Sequence, residues 1–228
     1  MAKGLFGSSL MKKFWMSITG IFLITFLLVH CLVNAMIFMK DGGMTFNKWA
    51  HFMGTNGLIR TMEIVLFLGL ILHVVDGLML YFQNRAARPV KYAKEAPGQS
   101  SQWYSRSMAL LGTLILLFLI LHLYHFWFKT RITGLTNDPI MVIEGHRYED
   151  LFAEMRLVFK NLWVVIVYVL GCVSLFWHLL HGFRSAFQSL GFNYTKYKSG
   201  IAFVGDAFSV VIPAVFAAMP ICMYLNLV

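Results

Sequence analysis

Apolar residues in this chain fall into five long runs, roughly 14–38, 61–82, 107–128, 162–184 and 201–228, separated by polar stretches of short or moderate length. Each run is near the 20 or so residues that a helix needs to cross the hydrocarbon of a bilayer. Lipid offers no hydrogen-bond partners to an open backbone, so runs of this kind must be helical. The pattern predicts an all-α fold, an integral membrane bundle of five transmembrane helices forming one domain over 1–228. The first run, Phe14 to Phe38, is too long for the apolar core of a signal peptide and has no small-residue cleavage site, so a retained span is expected. The connections at 39–60 and 129–161 mix charges with Phe46, Trp49, Phe52, Tyr148 and Phe152. They are expected to lie along the interface as amphipathic segments. The stretch from Ala86 to Gln102, with Pro89, Pro97 and Gly98, reads either as a solvated connector or as a docking surface for a soluble partner.

Composition sharpens the picture. The chain is 59% hydrophobic and 13% charged, with a mean hydropathy of +0.70; soluble domains carry about 25% charged residues. The net charge of +9 does not indicate a nucleic-acid partner, because the basic residues form short clusters between apolar runs rather than one patch. Those clusters instead set an orientation. Lys3, Lys12 and Lys13, then Arg85 to Arg106, then Arg184, Lys196 and Lys198 share one side with a single acid, Glu95. Basic residues on the other side are diluted by Asp41, Asp138, Glu144, Glu149, Asp150 and Glu154. The bias predicts a cytoplasmic N-terminus and a C-terminus outside. Cys31, Cys172 and Cys222 are scattered through apolar runs and read as small buried hydrophobes. The chain has neither the C-x-x-C-H of covalent haem attachment nor the clustered cysteines that iron–sulfur ligation requires.

Histidine is costly inside a membrane and marks a functional site there. Four of the apolar runs carry one in a repeated setting: Gly20-x9-His30, His73-x3-Gly77, Gly112-x9-His122 and His178-x3-Gly182. His30 and His122 lie beyond the midpoints of outward-running spans, whereas His73 and His178 lie beyond the midpoints of inward-running ones. The four therefore sort by height into an outer pair, His30 with His122, and an inner pair, His73 with His178. This is the arrangement expected of axial ligands to two haem irons. Ten residues of helix rise about 15 Å, which puts Gly20 and Gly112 near the level of the inner pair, where a porphyrin could approach. Each of these glycines also has an ordinary reading as a helix-packing residue. His125 and His181 complete two H-x-x-H sequences and read as polar neighbours near the interfaces.

Taken in order, these residues resemble the di-haem cytochrome b subunit of succinate:quinone oxidoreductases (succinate dehydrogenases and fumarate reductases), in the five-helix, single-anchor form. The matching stretches are Thr19-Gly20-x9-His30, then Ala50-His51-Phe52-Met53 followed by Arg60 and Glu63-Ile64, then His73-x3-Gly77, Gly112-x9-His122, and His178-x3-Gly182 with Gly191. The resemblance implies two b haems, the outer held by His30 and His122 and the inner by His73 and His178, and it selects His122 over His125 and His178 over His181. It also implies a flavoprotein subunit with FAD and an iron–sulfur subunit docked on the cytoplasmic face of a bacterial inner membrane. Electrons would pass through the inner and then the outer haem to a membrane quinone, with menaquinone the expected one. The dicarboxylate chemistry would belong to another chain. Two departures stand out. Leu111 precedes Gly112 where Thr19 precedes Gly20, and the basic residues that hold haem propionates in some members have no clear match, leaving Ser17, Arg106 and Arg184 as candidates.

Quinone chemistry moves protons and needs titratable groups. The outer end of the second span supplies Asn47, His51, Arg60 and Glu63. Glu63 reads equally as a proton-handling residue and as an interfacial ion pair with Arg60. Asp76, on the inner side, reads as a structural hydrogen-bonding group, with a part in proton movement as the alternative, and Asp206 as an interfacial group. Two alternatives remain: a di-haem anchor for another respiratory dehydrogenase or reductase, and a haem-free transporter using buried histidines. The latter predicts broken helices with polar residues converging at mid-membrane; Pro213 is the nearest approach to such a break.

Overall fold

The computed structural model describes residues 9–87, 102–137, 139–192 and 195–228. Lys3, Arg88, Lys91, Lys94, Glu95 and Asp138, used above for orientation, lie outside the described residues, as does most of the 86–102 connection with Pro89, Pro97 and Gly98. The fold is all-α, with five helices among the described residues long and apolar enough to cross a membrane: Met11–Phe38, Gly57–Ala86, Met108–Thr133, Leu162–Ser189 and Tyr197–Tyr224. Each of the last four differs by four or five residues, at one end or both, from the run read in the sequence. The third extends five residues further at its C-terminal end, and the fifth is shifted toward the N-terminus.

The elements are α1 (Ser9–Asn34) with a tight turn of helix at Ala35–Phe38, α2 (Met44–Thr55), α3 (Gly57–Ala86), the short α4 (Trp103–Arg106), α5 (Met108–His122), β1 (Ile140–Ile143), β2 (His146–Glu149), α6 (Leu151–Val158), α7 (Leu162–Ser189) and α8 (Thr195–Tyr224). Asparagine side chains start two of the long helices. Asn56 Oδ1 accepts from the Leu58 and Ile59 amides at 3.0 and 3.2 Å, and Asn161 Oδ1 from the Trp163 amide at 2.9 Å. Each satisfies amides that the first helical turn leaves without partners.

Helix α1 packs against α3 and α7, and α5 likewise packs against α3 and α7. The four form a ring in which α1 faces α5, and α3 faces α7, across the bundle axis. Helix α8 lies outside this ring, against α7. Helix α3 buries no residue and presents Ile64, Leu68 and Ile71 outward. Such a surface is unfavourable in water and suited to lipid. Gly171 lets α5 approach α7 closely: a Cβ there would sit 2.6 Å from the Phe118 ring.

The bundle is capped at the end where α1 finishes. The sequence predicts amphipathic segments lying on the membrane here, with Phe46 and Phe152 among their apolar residues. The structure divides the aromatic residues of these segments, leaving Trp49 and Phe52 exposed. Phe46 and Phe152 are buried, in a core with Ile37, Met155, Phe159, Val165, Tyr168, Met219 and Met223. The cap also contains an antiparallel hairpin, unanticipated in the sequence, pairing Ile140 with Glu149 and Ile143 with His146. Its turn places Glu144 and Gly145 at φ of 54° and 81°, the left-handed geometry of a two-residue hairpin turn. Lys48 of α2 holds Glu144 at 2.7 Å, and this bond keeps the Glu144 carboxyl below its usual pKa.

Asn47 is also corrected. It is not available to a quinone: it is fully buried, donating to Asp150 at 2.8 Å and accepting from the Phe152 amide at 3.1 Å. It is a staple between α2 and α6. Glu154, 1% exposed, accepts from Lys129 at 2.5 Å and from the Thr136 amide and hydroxyl at 2.9 and 3.0 Å. Burying a carboxylate is tolerable only with such a set of donors.

Candidate functional site

The ring arrangement determines where the four histidines meet. His30 of α1 and His122 of α5 come from facing helices, and their ring centroids lie 5.8 Å apart near the capped end. His73 of α3 and His178 of α7 come from the other facing pair, with centroids 6.3 Å apart. Two imidazoles that bind one metal ion from opposite sides, at about 2.0–2.1 Å per nitrogen, hold their centroids roughly 6–6.5 Å apart. Both pairs are close to that spacing.

The glycines sort by height. A Cβ on Gly20 would lie 3.7 Å from His73 Cε1, and one on Gly112 would lie 3.8 Å from His178 Cε1. The α1 and α5 glycines thus flank the inner pair, one on each side. Gly77 faces Met16 instead, its hypothetical Cβ 3.4 Å from Met16 Cε, and Gly182 has open space around it.

The surroundings of the two pairs differ. Phe26 stacks on His30 at 5.1 Å, and Phe118, Phe126 and Tyr168 surround His122 at 5.4–6.1 Å. Phe216 of α8 closes over His30 at 5.5 Å. Asn34 donates to the His30 carbonyl at 2.8 Å, and its amide nitrogen lies 3.3 Å from His30 Nδ1. Around the inner pair, the Thr19 hydroxyl lies 3.1 Å from His73 Nδ1. Nδ1 of His122 and Nδ1 of His178 are buried with no hydrogen-bond partner. An unpartnered polar atom in an apolar interior costs about 1–3 kcal/mol. Two of the four axial imidazoles, one in each pair, carry such an atom among the described residues.

The donor set fits haem. Among the described residues no group of three or more His, Cys, Asp or Glu side chains is placed to cage a metal ion. Two facing imidazoles suit an iron whose other four ligands come with it. Gly20 and Gly112 present no side chain toward the inner pair. His125 has a separate setting, with Nδ1 3.0 Å from the Tyr168 hydroxyl.

At the capped end, Glu63 lies at the centre of a polar cluster. Its Oε2 accepts from Arg60 at 2.6 Å and from Arg131 at 3.2 Å, and its Oε1 accepts from the Trp127 indole at 2.6 Å. Arg131 also donates to the Gly54 carbonyl at 3.2 Å. The ion pair with Arg60 is therefore real, and it is only one part of a larger set. Sequence reasoning did not include Trp127 and Arg131. The available signal was an indole N–H needing a partner near the end of an apolar run. It was obscured because the helix widens to a π-helical turn over Leu123–Thr133, which shifts every side chain after His122 off a regular helical wheel.

His51 is set differently. It is exposed on α2, its ring edge-on to Tyr148 of β2 at 5.1 Å. Of the propionate candidates, Ser17 is buried and donates to the Lys13 carbonyl at 2.8 Å, and Arg184 forms an ion pair with Asp206 of α8.

Compared with known proteins, the chain matches no family model, no curated protein and no solved structure.

Proposed function

We propose that this chain is the membrane-anchor cytochrome b subunit of a succinate:quinone oxidoreductase and holds two b haems between its four histidines. The main support is geometric. Imidazoles from two pairs of facing helices meet on the bundle axis at two heights, close to the spacing of bis-imidazole ligation.

His30 and His122 would hold the outer haem, and His73 and His178 the inner one. Bound haem with both axial positions filled supplies one-electron transfer and leaves no site for oxygen. Gly20 and Gly112 leave room beside the inner pair, and the aromatic rings around the outer pair exclude water from it.

The quinone-reactive residue is Glu63. Arg60, Arg131 and Trp127 orient its carboxylate, which takes up or releases the proton that accompanies quinone chemistry at the membrane edge. His51, on the neighbouring α2, is the second candidate for proton movement. A flavoprotein subunit with FAD and an iron–sulfur subunit are the expected partners on the N-terminal face. That face is assigned to the cytoplasm of a bacterial inner membrane, and menaquinone is the expected quinone.

A reduced-minus-oxidised visible spectrum of the purified chain tests the reading. Two overlapping b-type bands are expected, together with co-purifying flavoprotein and iron–sulfur chains. A colourless preparation from haem-replete cells would overturn it and favour the haem-free transporter.

A further inference from the structure

We infer that Thr19 is the positioning residue of the inner pair: its hydroxyl oxygen accepts from His73 Nδ1–H and so holds the tautomer whose bare Nε2 is free to bind iron. The assignment deepens the haem-anchor reading above and rests on it for its role, although not for its chemistry.

The Thr19 hydroxyl has a single proton to donate. Thr19 is buried on α1. Its oxygen lies 2.9 Å from the Trp15 carbonyl and 3.1 Å from the Met16 carbonyl, one turn back in the same helix. Carbonyl oxygens only accept, so the hydroxyl proton points to them. What remains toward His73, 3.1 Å away, is a lone pair. The imidazole must then donate from Nδ1, and a neutral imidazole carries only one N–H. Its Nε2 is left as an acceptor, the form in which histidine binds metals.

Neighbouring residues fit this role. Thr19 and Gly20 are consecutive, and both address the same ring, one by the hydrogen bond and the other by open space beside Cε1. On the opposite side, Leu111 precedes Gly112, and His178 Nδ1 has no partner. At the outer pair, Asn34 presents an amide N–H to His30 Nδ1, not an acceptor. The four imidazoles are therefore unequal. His73 alone receives a side-chain acceptor among the described residues, and an acceptor on Nδ1–H makes an imidazole the more basic ligand and fixes its ring orientation.

The test uses the full chain in lipid bilayers with isotope-labelled histidine, comparing wild type, Thr19→Val and Thr19→Ser. Nuclear magnetic resonance reads the His73 tautomer, and a redox titration reads each haem. In the wild type His73 should carry its proton on Nδ1. Thr19→Val should lose that hydrogen-bonded signal, raise the midpoint potential of the inner haem only, and weaken inner-haem retention by roughly 10–100-fold. Thr19→Ser should restore all three. A wild-type His73 protonated on Nε2 would overturn the inference, whatever the variants do. So would Thr19→Val indistinguishable from wild type, or Thr19→Ser behaving as Thr19→Val, since the methyl group and not the hydroxyl would then matter. If the wild-type chain binds no haem, the functional reading fails, and the tautomer measured in that haem-free chain still decides the role of Thr19.

Discussion

The outer and inner histidine pairs share one plan and are supported in two ways. Each uses imidazoles from helices that face each other across the ring. The outer pair is held by shape: Phe26, Phe118, Phe126, Tyr168 and Phe216 surround it, and the folded cap closes the end beyond. At the inner pair the side-chain hydrogen-bond partner is a single hydroxyl, from Thr19, and two glycines adjoin the rings. Aromatic packing fixes a ring by contact on many sides and excludes water. A hydrogen bond fixes one atom and selects a protonation state. Under the proposed haem-anchor function, the same ligand chemistry is tuned separately at the two levels of one bundle.

The largest expected effect tests whether the pairs are independent. His122→Ala should remove the outer haem and keep the inner. His73→Ala should do the reverse and uncouple dicarboxylate turnover from quinone in the assembled complex. The visible spectrum of each variant reads the outcome, and loss of both bands from either one would mean that the two levels form a single cooperative unit.

Lys129→Met should come next. It leaves Glu154 buried without its cation, a loss of about 3–5 kcal/mol, read as a lower denaturant midpoint. Because Lys129 and Glu154 belong to the cap, the outer haem should loosen before the inner one.

Glu63→Gln keeps the shape of the side chain and removes its proton-accepting charge. Quinone turnover should fall by about 100-fold, at the low end of general acid–base contributions, with both haems still in place. Normal turnover would remove Glu63 from the quinone site.

Gly171→Ala should have the smallest effect and the most local one. The added methyl would lie 2.6 Å from Phe118, which must shift at a cost of about 1–3 kcal/mol. Phe118 packs on His122, so the outer haem band should move while the inner stays. A shift in the inner band instead would show that strain passes along α7.

Much of the fold was legible because the solvent imposes it. A run of 20 or more apolar residues has one stable form in lipid, and all five such runs are helices. Heights were legible for the same reason, since rise per residue is constant: Gly20 falls beside His73, and Gly112 beside His178. The cap was not legible. Phe46 and Phe152 sit in polar-rich stretches, where an apolar residue can face lipid or a small core equally well, and only contacts with α7 and α8 decide. The hairpin has strands of four residues, too short for a clear alternation. Trp127 and Arg131 were missed because the widened turn after His122 breaks the periodicity on which a helical wheel depends.

The sequence alone therefore determined the class of fold, the number of long helices and the order of the histidines by depth. Each follows from hydropathy or from counting residues along a helix, and neither requires knowing a neighbour. Tertiary structure decided which helices face each other, and so brought the depth-matched imidazoles into contact. It also decided that Glu63 gathers two arginines and an indole, and that Thr19 reaches His73. Apart from the Arg60–Glu63 pair, those facts join residues 54 to 105 positions apart, and only the packing of one helix against another brings such residues within a hydrogen bond or a ring contact.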